Sequence, residues 1–360
     1  MNLSPSHDSH GLVNLIAEIE KRLTGSSVSP TLNDRLAANL PDAATYVLVL
    51  FDGLGVAQLD HRHAATFRAS QAGQLDAGFP TSTSVSLATV ATALTPGEHG
   101  VVAHLSWMPR HDRVVNTLKW VDLTGRPVDD DYSTILPGPN LWERLREHGI
   151  EPITVQPGNF ETTPLTRLLY RGARFEGIWD YSDLIDATVQ LAAEPGRLIF
   201  TYMPNVDVAG HVHGLESDEF GEAMRLAGGI WDAIRNRLPD GASLIGTADH
   251  GLIGFGEDQK LLVRETRFDG MRFAGDARGV HLWCDDEIAD DFRSLTGASL
   301  ADPPALFGPN PSSRTLEQLG THLVLPDANT AILPPGFDKR LKAYHGGLDP
   351  REVEIPLLIG

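Results

Sequence analysis

Leu12, Ile16, Ile19 and Leu23 recur at the spacing of one helix face. That pattern predicts an amphipathic helix over residues 11–24, ended by Gly25-Ser26-Ser27. The next strong signal is of another kind. Tyr46-Val47-Leu48-Val49-Leu50-Phe51 is apolar throughout and stops at Asp52-Gly53, the mark of a strand covered on both faces with a turn at its C-terminal end. Ser84–Leu94 is small and apolar and stops at Pro96-Gly97, which reads as a buried helix. Asn140 caps a helix running to His148, and Gly149 ends it. A short strand at Ile153-Thr154-Val155 follows, then a helix over residues 182–191 and a strand at Leu198–Tyr202. Ser217 opens a long helix ending near Leu238, and Ser243–Thr247 is the next strand. The last apolar run, Ile355–Ile359, holds Pro356 and reads as an edge strand, where a residue without an N–H is tolerated.

Strands alternating with helices predict an α/β fold, a mostly parallel sheet flanked by helices on both faces. Residues 255–337 break the rhythm. They are rich in Pro, Gly and Asp, with short strand-like pieces such as Val280-His281-Leu282-Trp283. The expected organisation is an N-terminal helical segment over 1–44, a catalytic core over 45–254, an inserted cap over 255–337, and a return to the core over 338–360.

Composition narrows the partners. The chain has 360 residues, enough for one large α/β domain with an insertion. Forty-eight acidic against 29 basic residues leave a net charge of −19, which repels a nucleic acid duplex and an anionic membrane surface. Most of that charge serves solubility, but some of the carboxylates are free to be metal ligands. Cys284 is the one cysteine, so no intramolecular disulfide forms. Met1–Ser9 lacks a basic stretch followed by an apolar one, and no apolar run approaches ~20 residues. The expectation is a cytoplasmic protein without a membrane segment. Its oligomeric state is not legible.

Four segments join the end of an apolar run to acidic, imidazole or hydroxyl side chains, and in an open parallel sheet such ends converge on the ligand site. Asp52-Gly53 follows the first strand. Phe79-Pro80-Thr81-Ser82-Thr83-Ser84-Val85-Ser86 enters a helix, where free N–H groups and the dipole favour a phosphate. Asp207 and His211 lie four residues apart after a strand, with His213 as a competing ligand. Asp249-His250-Gly251 follows another strand, and a fifth piece, His345-Gly346-Gly347, precedes the last. Together they supply Asp52, Thr83, Asp207 and Asp249 as oxygen donors and His211, His250 and His345 as imidazoles. Mixed His/Asp ligation suits zinc or manganese rather than calcium, and the lack of Cys ligands argues against a structural zinc. Seven donors exceed the needs of one catalytic ion and divide between two ions ~3.5–4 Å apart, the arrangement of phosphoryl transfer.

In content and order these segments, with Thr95-Pro96-Gly97-Glu98-His99-Gly100, resemble the signature set of type I phosphodiesterases/nucleotide pyrophosphatases of the alkaline phosphatase superfamily, over residues 45–360. The resemblance implies an alkaline-phosphatase-like core and two zinc ions, one held by Asp207, His211 and His345, the other by Asp52, Asp249, His250 and Thr83. It implies that Thr83, rather than Thr81, Ser82 or Ser84, attacks the phosphorus of a small-molecule phosphate ester to form a phosphothreonine, which water then cleaves. Two departures stand out. Val85-Ser86 replaces the family's usual Pro-Asn, and His104 stands at the offset of an Asn that binds a phosphoryl oxygen; His104 can still donate a hydrogen bond there. Trp107 and Arg110 follow closely and are candidate pocket residues. The alternatives are a phosphomonoesterase, phosphonate hydrolase or phosphomutase of the same superfamily, and a non-catalytic metal-binding relic of the fold. A sulfatase is disfavoured, because Cys284 is followed by Asp285-Asp286-Glu287 and not by that family's motif.

Overall fold

All seven residues of Thr45–Phe51 are buried, and this strand lies at the middle of a seven-stranded sheet in the computed structural model, which describes residues 9–264 and 268–360. The expectation that Met1–Ser9 carries no leader falls, but for Ser9, outside the described residues. Across the sheet the order is Gln71–Asp76, Glu354–Ile359, Ala242–Thr247, Thr45–Phe51, Arg197–Met203, Glu151–Pro157 and Arg174–Ile178. The last five are mutually parallel, and Glu354–Ile359 runs antiparallel to both of its neighbours. The fold is thus the α/β architecture expected, a mostly parallel sheet flanked by helices.

The helices form two groups. Leu12–Thr24, Thr83–Thr92, Leu141–Glu147 and Pro164–Leu169 pack together, and so do Ala65–Ser70, Tyr181–Ala192, Asn205–His213 and Asp218–Arg235. Local chemistry sets their ends. The Asn140 side chain accepts from Glu143 N at 2.9 Å, and Ser217 Oγ accepts from Phe220 N at 3.1 Å, the two caps read from sequence. Thr83–Thr92 is buried at every residue, and it stops at Ala93, whose backbone is left-handed, two residues earlier than the sequence pattern suggests. Among the described residues, no helix is long and apolar enough to cross a membrane.

The C-terminal strand corrects one expectation. It is not the edge. Gln71–Asp76 lies outside it, a strand with Leu75 as its one large apolar residue and hence no strong hydrophobic signal. Pro356 is accommodated because Ala242–Thr247 pairs only with Leu358 and Ile359, so no ladder on that side needs the missing N–H.

A second seven-stranded sheet is antiparallel throughout. Its order is Ser299–Ala301, His322–Leu325, Gly279–Leu282, Phe273–Asp276, Leu105–Met108, Arg113–Asn116 and Val121–Asp122. Four strands come from the 255–337 stretch and three from residues 105–122, a segment that the pattern alone assigns to the core.

The central strand sets the position of everything at the sheet's C-terminal edge. Leu50→Ala, at a fully buried position, is expected to cost about 2–5 kcal/mol. Urea denaturation checks this: the midpoint falls with an unchanged slope, and an unchanged midpoint contradicts the packing described.

Candidate active site

Register brings the site together. Phe51 lies level with Met203, and Leu50 with Thr247, so the residues that follow these three strands emerge side by side. Asp52 follows the first strand directly. After Met203 the chain enters the helix Asn205–His213, which places Asp207 and His211 one turn apart on one face. After Thr247 come Ala248-Asp249-His250. His345 follows a two-residue strand, Ala343–Tyr344, that pairs with Ile253–Gly254 just beyond His250. Gly53 permits the approach of the second segment to the first: its φ is +75°, and a Cβ there would lie 2.9 Å from Asp207 Cα.

Six of the predicted ligands form two groups whose ligand atoms lie within 4.8 Å of one another: Asp207, His211 and His345, and Asp52, Asp249 and His250. In the first, His211 Nε2 is 3.2 Å from Asp207 Oδ1 and 3.2 Å from His345 Nε2. In the second, His250 Nε2 is 3.3 Å from Asp249 Oδ2 and 3.6 Å from Asp52 Oδ1. The rings of His250 and His345 stack at 3.7 Å, so the groups adjoin. Thr83 Oγ1, at the first residue of its helix, is 3.1 Å from His250 Nε2 and 3.5 Å from Asp52 Oδ1.

Each imidazole is aimed by its other nitrogen. The Nδ1–H of His211 donates to Ala343 O at 2.7 Å, that of His345 to Thr81 O at 2.6 Å, and that of His250 to Gly251 O at 3.2 Å. All three therefore present an Nε2 lone pair to the cluster, the tautomer a metal ligand needs. Two such lone pairs facing at 3.2 Å repel unless a cation lies between them. The carboxylates make the same demand. Asp207 Oδ1 and Asp249 Oδ2 are buried and receive no hydrogen bond, a state that buried charge rarely tolerates without a counter-ion. Burial, and then the charges of Asp249 and Asp207, push the Asp52 carboxyl well above its ordinary value, while burial and then His250 push His345 well below its own. The donor set fits two divalent cations bound by nitrogen and oxygen.

The neighbouring hydroxyls are engaged elsewhere. Thr81 Oγ1 accepts from Gly346 N at 2.9 Å and donates to Gly347 O at 3.2 Å. Ser84 Oγ meets Thr117 Oγ1 at 2.7 Å, and Ser86 Oγ donates to Asp249 O at 2.8 Å. Ser82 bonds to the Asp276 carboxylate. His213 pairs with Glu219 at 3.8 Å, outside both ligand groups. His104 lies near the first group, where burial and then the charge of His211 lower it to about 4, and its Nε2 is 3.1 Å from Asn116 Nδ2. Arg110 pairs with Asp130, and Trp107 lies under the Arg272 guanidinium at 3.3 Å; neither belongs to the ligand groups.

Sequence reasoning missed three residues. The hydroxyl of Tyr202, read only as strand, donates to Asp52 Oδ2. Asp276, whose carboxyl burial pushes up to about 7, accepts from His104 N at 3.2 Å. Glu352 accepts from Gly347 N at 3.0 Å. None of the three carries a local signal: Tyr202 lies in a strand buried almost throughout, and Asp276 and Glu352 belong to no motif.

The family model of type I phosphodiesterases/nucleotide pyrophosphatases matches residues 46–269. An uncharacterized pyrophosphatase/phosphodiesterase of Schizosaccharomyces pombe is 25% identical over 208 residues, 53% of this chain and 40% of the relative, so the match spans two fifths of that protein's length. Murine ectonucleotide pyrophosphatase/phosphodiesterase 5 superposes with a TM-score of 0.64 at 17% identity, over 87% of each chain. Its inactive threonine-to-alanine form in complex with AMP superposes at 0.63, with the same identity and coverage. Phosphonoacetate hydrolase of Sinorhizobium meliloti 1021, in complex with phosphonoformate, gives 0.64 at 16% identity over 89% of this chain and 91% of that one.

Gly346 adopts φ +114°, and a Cβ there would stand 2.2 Å from Asp276 Cβ. Gly346→Ala is therefore expected to destabilise the fold by about 1–3 kcal/mol through overpacking and strain. Thermal or chemical unfolding measures this, and a wild-type midpoint contradicts the close approach of the His345 loop to the second sheet.

Proposed function

The chain belongs to the type I phosphodiesterase/nucleotide pyrophosphatase family, and from that premise we propose that it hydrolyses a small-molecule phosphodiester or pyrophosphate with two transition-metal ions, zinc or manganese, and Thr83 as nucleophile. The observation that carries the reading is the position of Thr83. Its Oγ1 faces His250 Nε2 and Asp52 Oδ1 at the start of a buried helix, while Thr81, Ser82, Ser84 and Ser86 have other partners. In this reading Asp207, His211 and His345 hold one ion, and Asp52, Asp249 and His250 hold the other beside Thr83. When bound, the ions lower the pKa of a hydroxyl or water and neutralise charge on the phosphoryl oxygens.

The residues divide the work. Thr83 Oγ1 bonds to phosphorus as the bond to the leaving oxygen breaks, and a phosphothreonine forms. Water then adds to the phosphorus and returns the Thr83 hydroxyl. The helix N-terminus presents backbone N–H groups to the phosphoryl oxygens. Asn116 Nδ2 donates to His104 Nε2, which leaves the proton of the neutral ring on Nδ1 as a donor toward an oxyanion. Tyr202 orients Asp52. The cap, in this reading the 255–337 stretch together with the strands of residues 105–122, tunes substrate choice. A single cysteine suits a reducing compartment, and a cytoplasmic location without duplex nucleic acid or membrane partners belongs to the same proposal. The nucleotide complex of the murine neighbour supports a nucleotide-derived substrate. The likeness to a phosphonate hydrolase, at a TM-score of 0.64, supports cleavage of a phosphonate as the second reading.

Thr83→Ala is expected to keep the fold and most of its metal, because it removes one hydroxyl and a methyl, and to lower turnover of an aryl phosphodiester by several powers of ten. Thr83→Ser is expected to keep part of the activity. Near-normal hydrolysis by Thr83→Ala with unchanged metal content contradicts covalent catalysis. Phosphonoacetate supplied in parallel separates the two substrate readings.

Metal analysis after purification without chelator is expected to give two equivalents per chain. His345→Ala is expected to release one and retain the other, since neutral imidazole is a main source of that site's affinity. Loss of both, or of neither, contradicts the division of ligands.

A further inference from the structure

One buried ion pair lies beside the cluster, and none of its atoms belongs to the ligand groups. Arg278 occupies the turn between Phe273–Asp276 and Gly279–Leu282 in the second sheet. Its Nη2 and Nε donate to Glu352 Oε2 at 3.1 and 3.2 Å, with the two side chains 2% and 0% exposed. Glu352 lies in the short helix before the last strand of the main sheet. Its remaining polar atoms do not face water. Oε1 accepts from Gly347 N at 3.0 Å, and its backbone carbonyl accepts from Gly251 N at 2.9 Å. Gly347 is two residues from His345, and Gly251 is adjacent to His250. One residue thus grips the chain just beyond a histidine of each ligand group, and those two histidines stack at 3.7 Å.

The fit around this residue is tight. A Cβ on Gly347 would lie 2.8 Å from Glu352 Oε2 and 3.1 Å from Arg278 Cβ, and one on Gly251 would lie 2.1 Å from Arg351 O. The other guanidinium nitrogen, Nη1, donates to the carbonyls of Asp327 and Thr330, so the pair also ties the second sheet to the metal loops. A buried carboxylate is costly unless it is paired and fully hydrogen-bonded, and here both conditions hold. Replacing the whole pair by apolar side chains of similar volume is often neutral or stabilising, but an apolar residue at 352 alone strands the buried Arg278 charge and cannot receive the Gly347 N–H.

We propose that Glu352, locked by Arg278, is a positioning residue that fixes the His345 loop against the His250 loop and so sets the geometry of the cation site formed by Asp207, His211 and His345. The proposal rests on the two-cation reading above. Its action is site-selective. The side chain of Glu352 holds the His345 loop, whereas the His250 loop is held by its backbone carbonyl, which substitution leaves in place.

The test uses the full chain and reads zinc affinity by competition with a chelating indicator, not turnover. In Glu352→Gln the amide cannot both accept from Gly347 N and face the Arg278 donors. Affinity at the Asp207–His211–His345 site is expected to fall about 10–100-fold, while the Asp52–Asp249–His250 site keeps its own. His345→Ala identifies the affected ion: adding Glu352→Gln to it produces no further loss. Glu352→Asp, with its charge intact and its reach shortened, is expected to show the same selective loss whatever its effect on the unfolding midpoint. If Glu352→Gln does not fold, the pair Arg278→Met/Glu352→Met leaves no buried charge and no acceptor for Gly347 N, and is expected to give that loss too. Wild-type affinity at both sites, or an equal loss at both, overturns the proposal, because a general loosening of the fold does not choose between ions. Fewer than two ions on the wild-type chain overturns the two-cation reading before any variant is compared.

Discussion

Three carboxylates buried in two adjoining groups are the constraint on which the rest of the structure depends. Asp207 Oδ1 and Asp249 Oδ2 have no protein donor, and Asp52 has Tyr202 on its other oxygen. The effective penalty of burying such an ion is several kcal/mol each, so folding alone does not favour this arrangement. Two divalent cations would convert the three negative charges into a small positive excess, the sign needed to hold an anionic substrate. The surrounding design follows from that need. Three backbone carbonyls, at Ala343, Thr81 and Gly251, take the Nδ1 protons and turn every Nε2 inward. Gly53 and Gly346 let the backbone pass where a Cβ would collide with Asp207 or Asp276.

The sheet's parallel register delivers these groups, but the second sheet closes the site. Asp276 and Arg278, two residues apart at one end of a hairpin, reach the His104 backbone, Ser82 and Glu352. The loops of His250 and His345 are therefore packed between the main sheet's strand ends and this hairpin.

Legibility in the sequence followed physical signal strength. Tyr46–Phe51 and Leu198–Tyr202 were readable because strands covered on both faces are continuously apolar. Gln71–Asp76 was not, since an edge strand with one large apolar residue resembles a loop. The three strands of residues 105–122 were missed for a different reason: they complete a sheet whose other members lie more than 150 residues on, and no local pattern encodes that pairing. Asp52, Asp207, His211, Asp249, His250 and His345 were found because each follows or flanks an apolar run in family order, and the structure brings all six together. Tyr202, Asp276 and Glu352 act through tertiary contacts alone, and a strand tyrosine or a helix-end glutamate looks the same in sequence whether or not it touches a ligand loop.

Anomalous X-ray diffraction at the zinc or manganese edge, on crystals of metal-saturated protein, tests the central claim most directly. Two anomalous peaks are expected, one among Asp207, His211 and His345 and one among Asp52, Asp249, His250 and Thr83. A single peak, or none within reach of these side chains, would contradict the account.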